Sequence, residues 1–219
     1  MISNDLILIC TYSIVLAVII GLIRLRSITA DYQPFILITL TSLANEVAAS
    51  WLEANPLMNA VRLNIFFILE SLLWIWQFKR WGGFSGGRKR VYPALLISVA
   101  VVWTAENILF AGISTFNSMF SLVSYFILVF LAINQVNQLI VEERGNMLKN
   151  SRFLICSGVM IFYTYKIMIE SFYVMKLDQS NQFLSKIFII LVFVNLFVNL
   201  LYALATLWIP TRQRFTMQY

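Results

Sequence analysis

Seven predominantly apolar stretches of about twenty residues follow one another along this chain, each long enough to cross the hydrocarbon core of a bilayer as an α-helix. They run approximately over residues 5–24, 34–54, 58–80, 91–112, 116–140, 152–175 and 183–209. In lipid every backbone N–H and C=O must be satisfied within the protein, so such segments are predicted to be helices. The expected fold is therefore all-α: one polytopic membrane domain over residues 1–219, a seven-transmembrane-helix bundle.

Composition leaves little room for another class. Of 219 residues, 60% are hydrophobic and 12% charged, with a mean hydropathy of +0.82, whereas soluble domains carry about 25% charged residues. The net charge of +6 comes from short basic clusters between the apolar runs, so it reads as a topology signal and not as a nucleic-acid surface. Cys10 and Cys156 both fall within apolar runs and suggest neither a disulfide framework nor a thiolate metal site. The chain contains no histidine, which removes His-ligated haem, HExxH zinc hydrolysis and Ser-His catalysis together. No metal, cofactor or catalytic residue is predicted. The first run lacks a basic leader, and no small-x-small site precedes Arg24, so it is expected to be retained as a helix.

Turn residues punctuate the runs: Pro34, Asn55-Pro56, the glycines between Gly82 and Gly87, Pro93 and Pro210. The basic residues then orient the bundle. Arg24, Arg26, Lys79, Arg80, Arg88, Lys89, Arg90, Arg144, Lys149, Arg152, Arg212 and Arg214 belong to one side, and only Arg62, Lys176 and Lys186 to the other. The positive-inside bias places the N-terminus outside and the C-terminus in the cytoplasm. Trp51, Trp81, Tyr92, Tyr173 and Trp208 fall near the interfaces, where amphipathic rings prefer to sit. Residues 134–144 are expected to continue the fifth helix towards the cytoplasm until Gly145 ends it.

Against this apolar background, four carboxylates and one amine stand inside the spans: Glu46, Glu70, Glu106, Glu170 and Lys166. A charge at the bilayer centre costs about 2.5–3.5 kcal/mol on insertion scales, so such residues face one another or a wet cavity. Lys166 and Glu170, four apart, are expected to pair within one helix. Arg62 and Glu70 lie about 80° apart around theirs. Glu46 and Glu106 then lack an obvious cation. Polar residues also form stripes at helical spacing: Thr39, Ser42, Glu46, Ser50 and Glu53; Glu70, Trp74 and Gln77; Asn117, Ser121, Ser124, Gln135 and Gln138; Tyr163, Lys166, Glu170 and Tyr173; Asn195, Asn199 and Tyr202. The Asn and Ser rows are read first as interhelical hydrogen-bonding positions. The charged rows are read as a pocket opening outward, with Glu46, Arg62, Glu70, Glu106, Lys166 and Glu170 as candidate ligand-binding residues.

Familiar seven-helix schemes fit poorly. A retinal lysine belongs mid-way along the last helix, where this chain has Asn195 and Val198, and a three-plus-one-plus-three transporter repeat does not align Glu46 with Lys166. Ile68-Leu-Glu70, Phe116-Asn-Ser118, Ile161-Phe-Tyr163, Glu170-Ser-Phe-Tyr173 and the closing run from Leu201 to Pro210 together resemble a set of small bacterial seven-helix inner-membrane proteins often encoded beside sensor histidine kinases. That resemblance implies the architecture, a bacterial inner membrane as the location and a sensor-kinase association, and it brings no site residues with it. The expected function is a non-enzymatic sensory or ligand-binding membrane module. It would take a small polar ligand and signal to a sensor kinase or other membrane partner, with no role for nucleic acid. A proton- or cation-coupled transporter and a structural subunit of a membrane complex are the alternatives.

Overall fold

The computed structural model describes residues 4–52, 55–85, 88–116, 118–142, 146–175 and 181–211. Expectations that fall on Glu53, Gly86, Gly87, Asn117, Arg144, Gly145, Lys176, Arg212 and Arg214 lie outside the described residues. The helices are α1 (Asn4–Tyr12), α2 (Ile14–Arg24), α3 (Gln33–Leu52), α4 (Pro56–Arg80), α5 (Val91–Thr104), α6 (Ser118–Glu142), α7 (Ser151–Val174) and α8 (Asn181–Trp208). α1 and α2 together make the first span, and α5 runs on through a π-helical turn, Ala105–Phe110, to make the fourth. Among the described residues, seven helical spans long and apolar enough to cross a membrane result. The chain is a multi-pass, all-α membrane protein.

Local chemistry sets the helix ends. Asn55 accepts a hydrogen bond from the Met58 N–H ahead of Pro56, and Asn150 accepts from Arg152 and Phe153 N–H, so both are side-chain N-caps. α4 ends where Gly82 turns left-handed, at φ 83°. There the Gly83 N–H bonds to Phe78 O and the Gly82 N–H to Lys79 O, a Schellman arrangement that satisfies the last carbonyls. The first span breaks at Ser13, whose hydroxyl donates to Cys10 O at 2.6 Å and accepts from Asn199 Nδ2 at 2.9 Å. This break joins α8 to the first span by side chains, as the Asn row suggested.

Six of the spans close into a ring. α2 packs on α3 and α8, α3 on α4, α4 on α6, α6 on α7, and α7 on α8. α5 stands outside, leaning mainly on α4. α7 and α8 approach closely because Gly158 faces Tyr202: a Cβ at Gly158 would come within 2.5 Å of the ring's Cε1. One apolar core runs through the ring, with Phe35, Trp74, Ile75, Phe78, Ile155 and Tyr163 fully buried.

The basic end of the bundle is stitched by polar side chains. Arg24 donates from Nη1 to Thr206 O (2.5 Å) and Leu207 O, and from Nη2 to Ile209 O (2.8 Å). It thereby caps the C-terminus of α8, where a cation also suits the helix dipole. Gln77, fully buried, donates to Asp31 O (2.7 Å) and accepts from the Phe35 N–H (2.7 Å), holding the start of α3. Tyr32 and Ser151 share a 2.7 Å hydrogen bond. Trp81 is not an interfacial anchor: it is buried and packs edge-on against Tyr32 and Phe78. Trp51, Tyr173 and Trp208 are exposed, as anchors would be.

The Arg24 contacts make a measurable difference from a simple topology signal. Arg24→Gln should cost about 1–2 kcal/mol in thermal unfolding of the detergent-solubilised protein, since charge-assisted bonds to three carbonyls are lost. Exposed Arg26 serves as the control, and Arg26→Gln should stay within about 0.5 kcal/mol. Equal losses would contradict the cap.

Candidate functional site

Inside the ring lies a cavity of about 210 Å³. Its walls come from the first span and from α3, α4, α6, α7 and α8, and none from α5. Thr11 and Ile14 flank the break at Ser13, so the irregular backbone sits at the level of the chamber. Glu46, Arg62, Glu70 and Lys166 line it, together with Ser42, Asn45, Asn195 and Asn199. The upper wall is formed by Ala49 near the end of α3 and Arg62 near the start of α4. This is the N-terminal end of the bundle, which the charge distribution assigns to the outside.

The two cations are held differently. Arg62 donates from Nε and Nη2 to Asn59 Oδ1 (3.1 and 2.7 Å) and from Nη1 to Asn45 O (3.0 Å) and Asn45 Oδ1. The guanidinium thus straps α4 to α3 at the mouth, and most of its donors are occupied by neutral oxygens. Lys166 has no hydrogen bond or ion pair among the described residues. Its Nζ lies 5.7 Å from the centres of the Phe67 and Phe162 rings and 6.0 Å from that of Tyr125. Three ring faces hold the ammonium by cation–π attraction, roughly 0.5–2 kcal/mol for each well-placed ring. The paired arrangements expected from spacing do not form: among the described residues the only ion pair within 4 Å is Arg80–Asp31, at 3.7 Å on the surface.

The carboxylates divide in the same way. Glu70, 8% exposed, is in hydrogen-bonding reach of the Tyr163 hydroxyl, which itself accepts from Trp74 Nε1 at 2.8 Å. Glu46 interacts electrostatically with both Arg62 and Lys166, yet accepts no hydrogen bond from any described residue. Beneath Glu70 the chamber is floored by rings. Trp74 lies edge-on to Tyr163 (6.5 Å, 90°), and Tyr202 is backed by Phe35 from outside the cavity (5.4 Å, 83°).

Two of the six candidate residues are placed elsewhere. Glu106 lies on the π-helical turn after α5, outside the ring. Its carboxylate accepts from the Met119 N–H (3.1 Å) and the Phe120 N–H (2.5 Å), so it caps α6 from a distance. Asn64 secures the intervening loop through Ile113 O and Thr115 O, at 2.9 and 2.7 Å. Glu170 is 4% exposed and does not line the cavity; Oε2 makes no hydrogen bond to the described residues. It interacts with Ser118, Lys166 and Glu106 near the start of α6. Asn45, Asn59, Phe67, Tyr125 and Phe162 are the site residues that charge-seeking overlooked. Phe162 and Lys166 are four apart, as are Asn59 and Arg62 three apart, so helical spacing does signal both contacts.

No group of three potential metal ligands converges among the described residues, and both cysteines are free and buried. No protein-family model, curated protein or solved structure matches the chain. What the site offers chemically is one accessible carboxylate, one ring-held ammonium and several amides above an aromatic floor.

Glu106 and Glu46 can be told apart by stability. Glu106→Ala should lower unfolding stability by about 0.5–2 kcal/mol, as loss of an N-cap does. Glu46→Gln should change it by less than about 0.5 kcal/mol. The reverse order in thermal melts would contradict these placements.

Proposed function

We propose that this protein is a sensory or ligand-binding membrane module whose chamber receives a small polar solute from the N-terminal side. The carrying observation is that Glu46 and Lys166 line one cavity within the ring without a direct partner. Charges that stay beyond ion-pair distance of one another in a bilayer-spanning bundle are costly, so they mark a place where a bound solute can complete the pairing. The aromatic floor favours a dead-end chamber over a conduit, which sets binding and sensing above transport.

A contiguous set of buried contacts leads from that floor to the other end. Trp74 stacks near Phe78 (6.1 Å), Phe78 meets Trp81 (5.8 Å), Trp81 meets Tyr32 (5.6 Å), and Tyr32 bonds Ser151 at the start of α7. A ligand that shifts Glu70 or Tyr163 would press on Trp74 directly and bias this column. The end it reaches carries Lys149 and Arg152 around a second, open cavity, a surface suited to a cytoplasmic partner such as a sensor kinase. The inner membrane as location and that kinase as partner belong to the same proposal.

Access is the test. In oriented membrane vesicles, Ala49→Cys should react with a membrane-impermeant maleimide from the N-terminal side only; the native thiols, both buried, give low background. Labelling from the basic side under any condition would favour a transporter. Failure to label from either side would contradict an open chamber.

A further inference from the structure

Four charged side chains line the chamber, two of each sign, and one of each sign, Glu46 and Lys166, has no hydrogen-bonding neighbour among the described residues. Glu70 lies in hydrogen-bonding reach of Tyr163, and Arg62 is strapped by Asn45 and Asn59. An anion alone would meet Lys166 but be repelled by Glu46. A cation alone would meet Glu46 and be repelled by Lys166. A neutral solute would desolvate both charges and satisfy neither, and groups left unpaired in that way weigh heavily against binding.

Resting on the reading of the cavity as a binding chamber, we infer that its ligand is a zwitterion of the α-amino-acid class with an apolar or aromatic side chain. The ammonium is taken by the Glu46 carboxylate and the carboxylate by the Lys166 ammonium, with amides such as Asn195 available to the remaining lone pairs. The side chain rests on the ring faces of Phe66, Phe67 and Phe162. Size agrees with this class. A chamber of about 210 Å³ falls below the roughly 300–1,000 Å³ of pockets that take drug-sized molecules, so it suits a single small metabolite.

Binding to the full chain in detergent decides the matter, with three probes that share one ring: L-phenylalanine, 2-phenylethylamine lacking the carboxylate, and 3-phenylpropionate lacking the ammonium. L-phenylalanine should bind saturably, and each analogue roughly tenfold more weakly or worse, since each loses one charge-assisted contact. Lys166→Met should erase the preference over phenylethylamine while keeping that over phenylpropionate. Glu46→Gln should do the opposite, with folding of both variants followed by thermal melts. An analogue that binds the parent protein as tightly as L-phenylalanine, or an absence of saturable L-phenylalanine binding, overturns the inference. Maleimide access at Ala49→Cys separates the two failures: a labelled chamber that shows no zwitterion preference refutes the ligand class alone, and an unlabelled one refutes the chamber and the ligand together.

Discussion

Within a bilayer no solvent is at hand to complete a polar group's bonds, and that shortage organises this molecule from end to end. Several of its polar side chains within the spans are turned on backbone groups that helices cannot satisfy themselves. Arg24 takes the last carbonyls of α8, Gln77 serves the start of α3, and Glu106 takes two N–H groups of α6. Asn64 fixes the loop before α6, and Asn199 holds the break at Ser13. Against that pattern, Glu46 and Lys166 stand out because neither makes a hydrogen bond or a close ion pair among the described residues.

Ring closure explains why they share a space. With α4 packed on α6 and α5 displaced to the outside, the inward stripes of six spans converge on one chamber, and α5 contributes nothing to it. Aromatic faces then do what a carboxylate would otherwise do for Lys166, without neutralising it. A ring quadrupole attracts an ammonium while leaving its protons available. The proposed ligand would thus meet an ammonium that the rings hold in place and that still has protons to donate.

Much of this was legible in the sequence, for reasons that differ by level. The spans follow directly from run length, and helices observed at Pro56–Arg80 and Ser151–Val174 match the expected 58–80 and 152–175 within two residues. The stripe logic also placed Glu46, Glu70, Lys166 and Arg62 on one chamber, because an apolar medium forces ionisable residues inward. It failed for Glu106, because nothing in the near-uniform apolar surface of Val91–Thr104 tells which neighbours α5 has or that it lies outside the ring. It also failed for the pairings. Spacing of four permits Lys166 to meet Glu170, yet the rotamer chosen depends on Phe67 and Tyr125 from two other helices. Such contacts between helices are set by packing, which a single sequence read along its length does not express. Trp81 was assigned to the interface by its position near a helix end, and burial against Tyr32 overrode that preference.

Lys166 is held by rings and not by a close carboxylate. A side-chain-resolution cryo-electron microscopy map of the full chain in lipid nanodiscs, recorded without added solute, examines it most directly. Density for the Lys166 ammonium is expected among Phe67, Tyr125 and Phe162, with Glu46, Glu70 and Glu170 all beyond 4 Å. A closed ion pair between Lys166 and any of those three would contradict it.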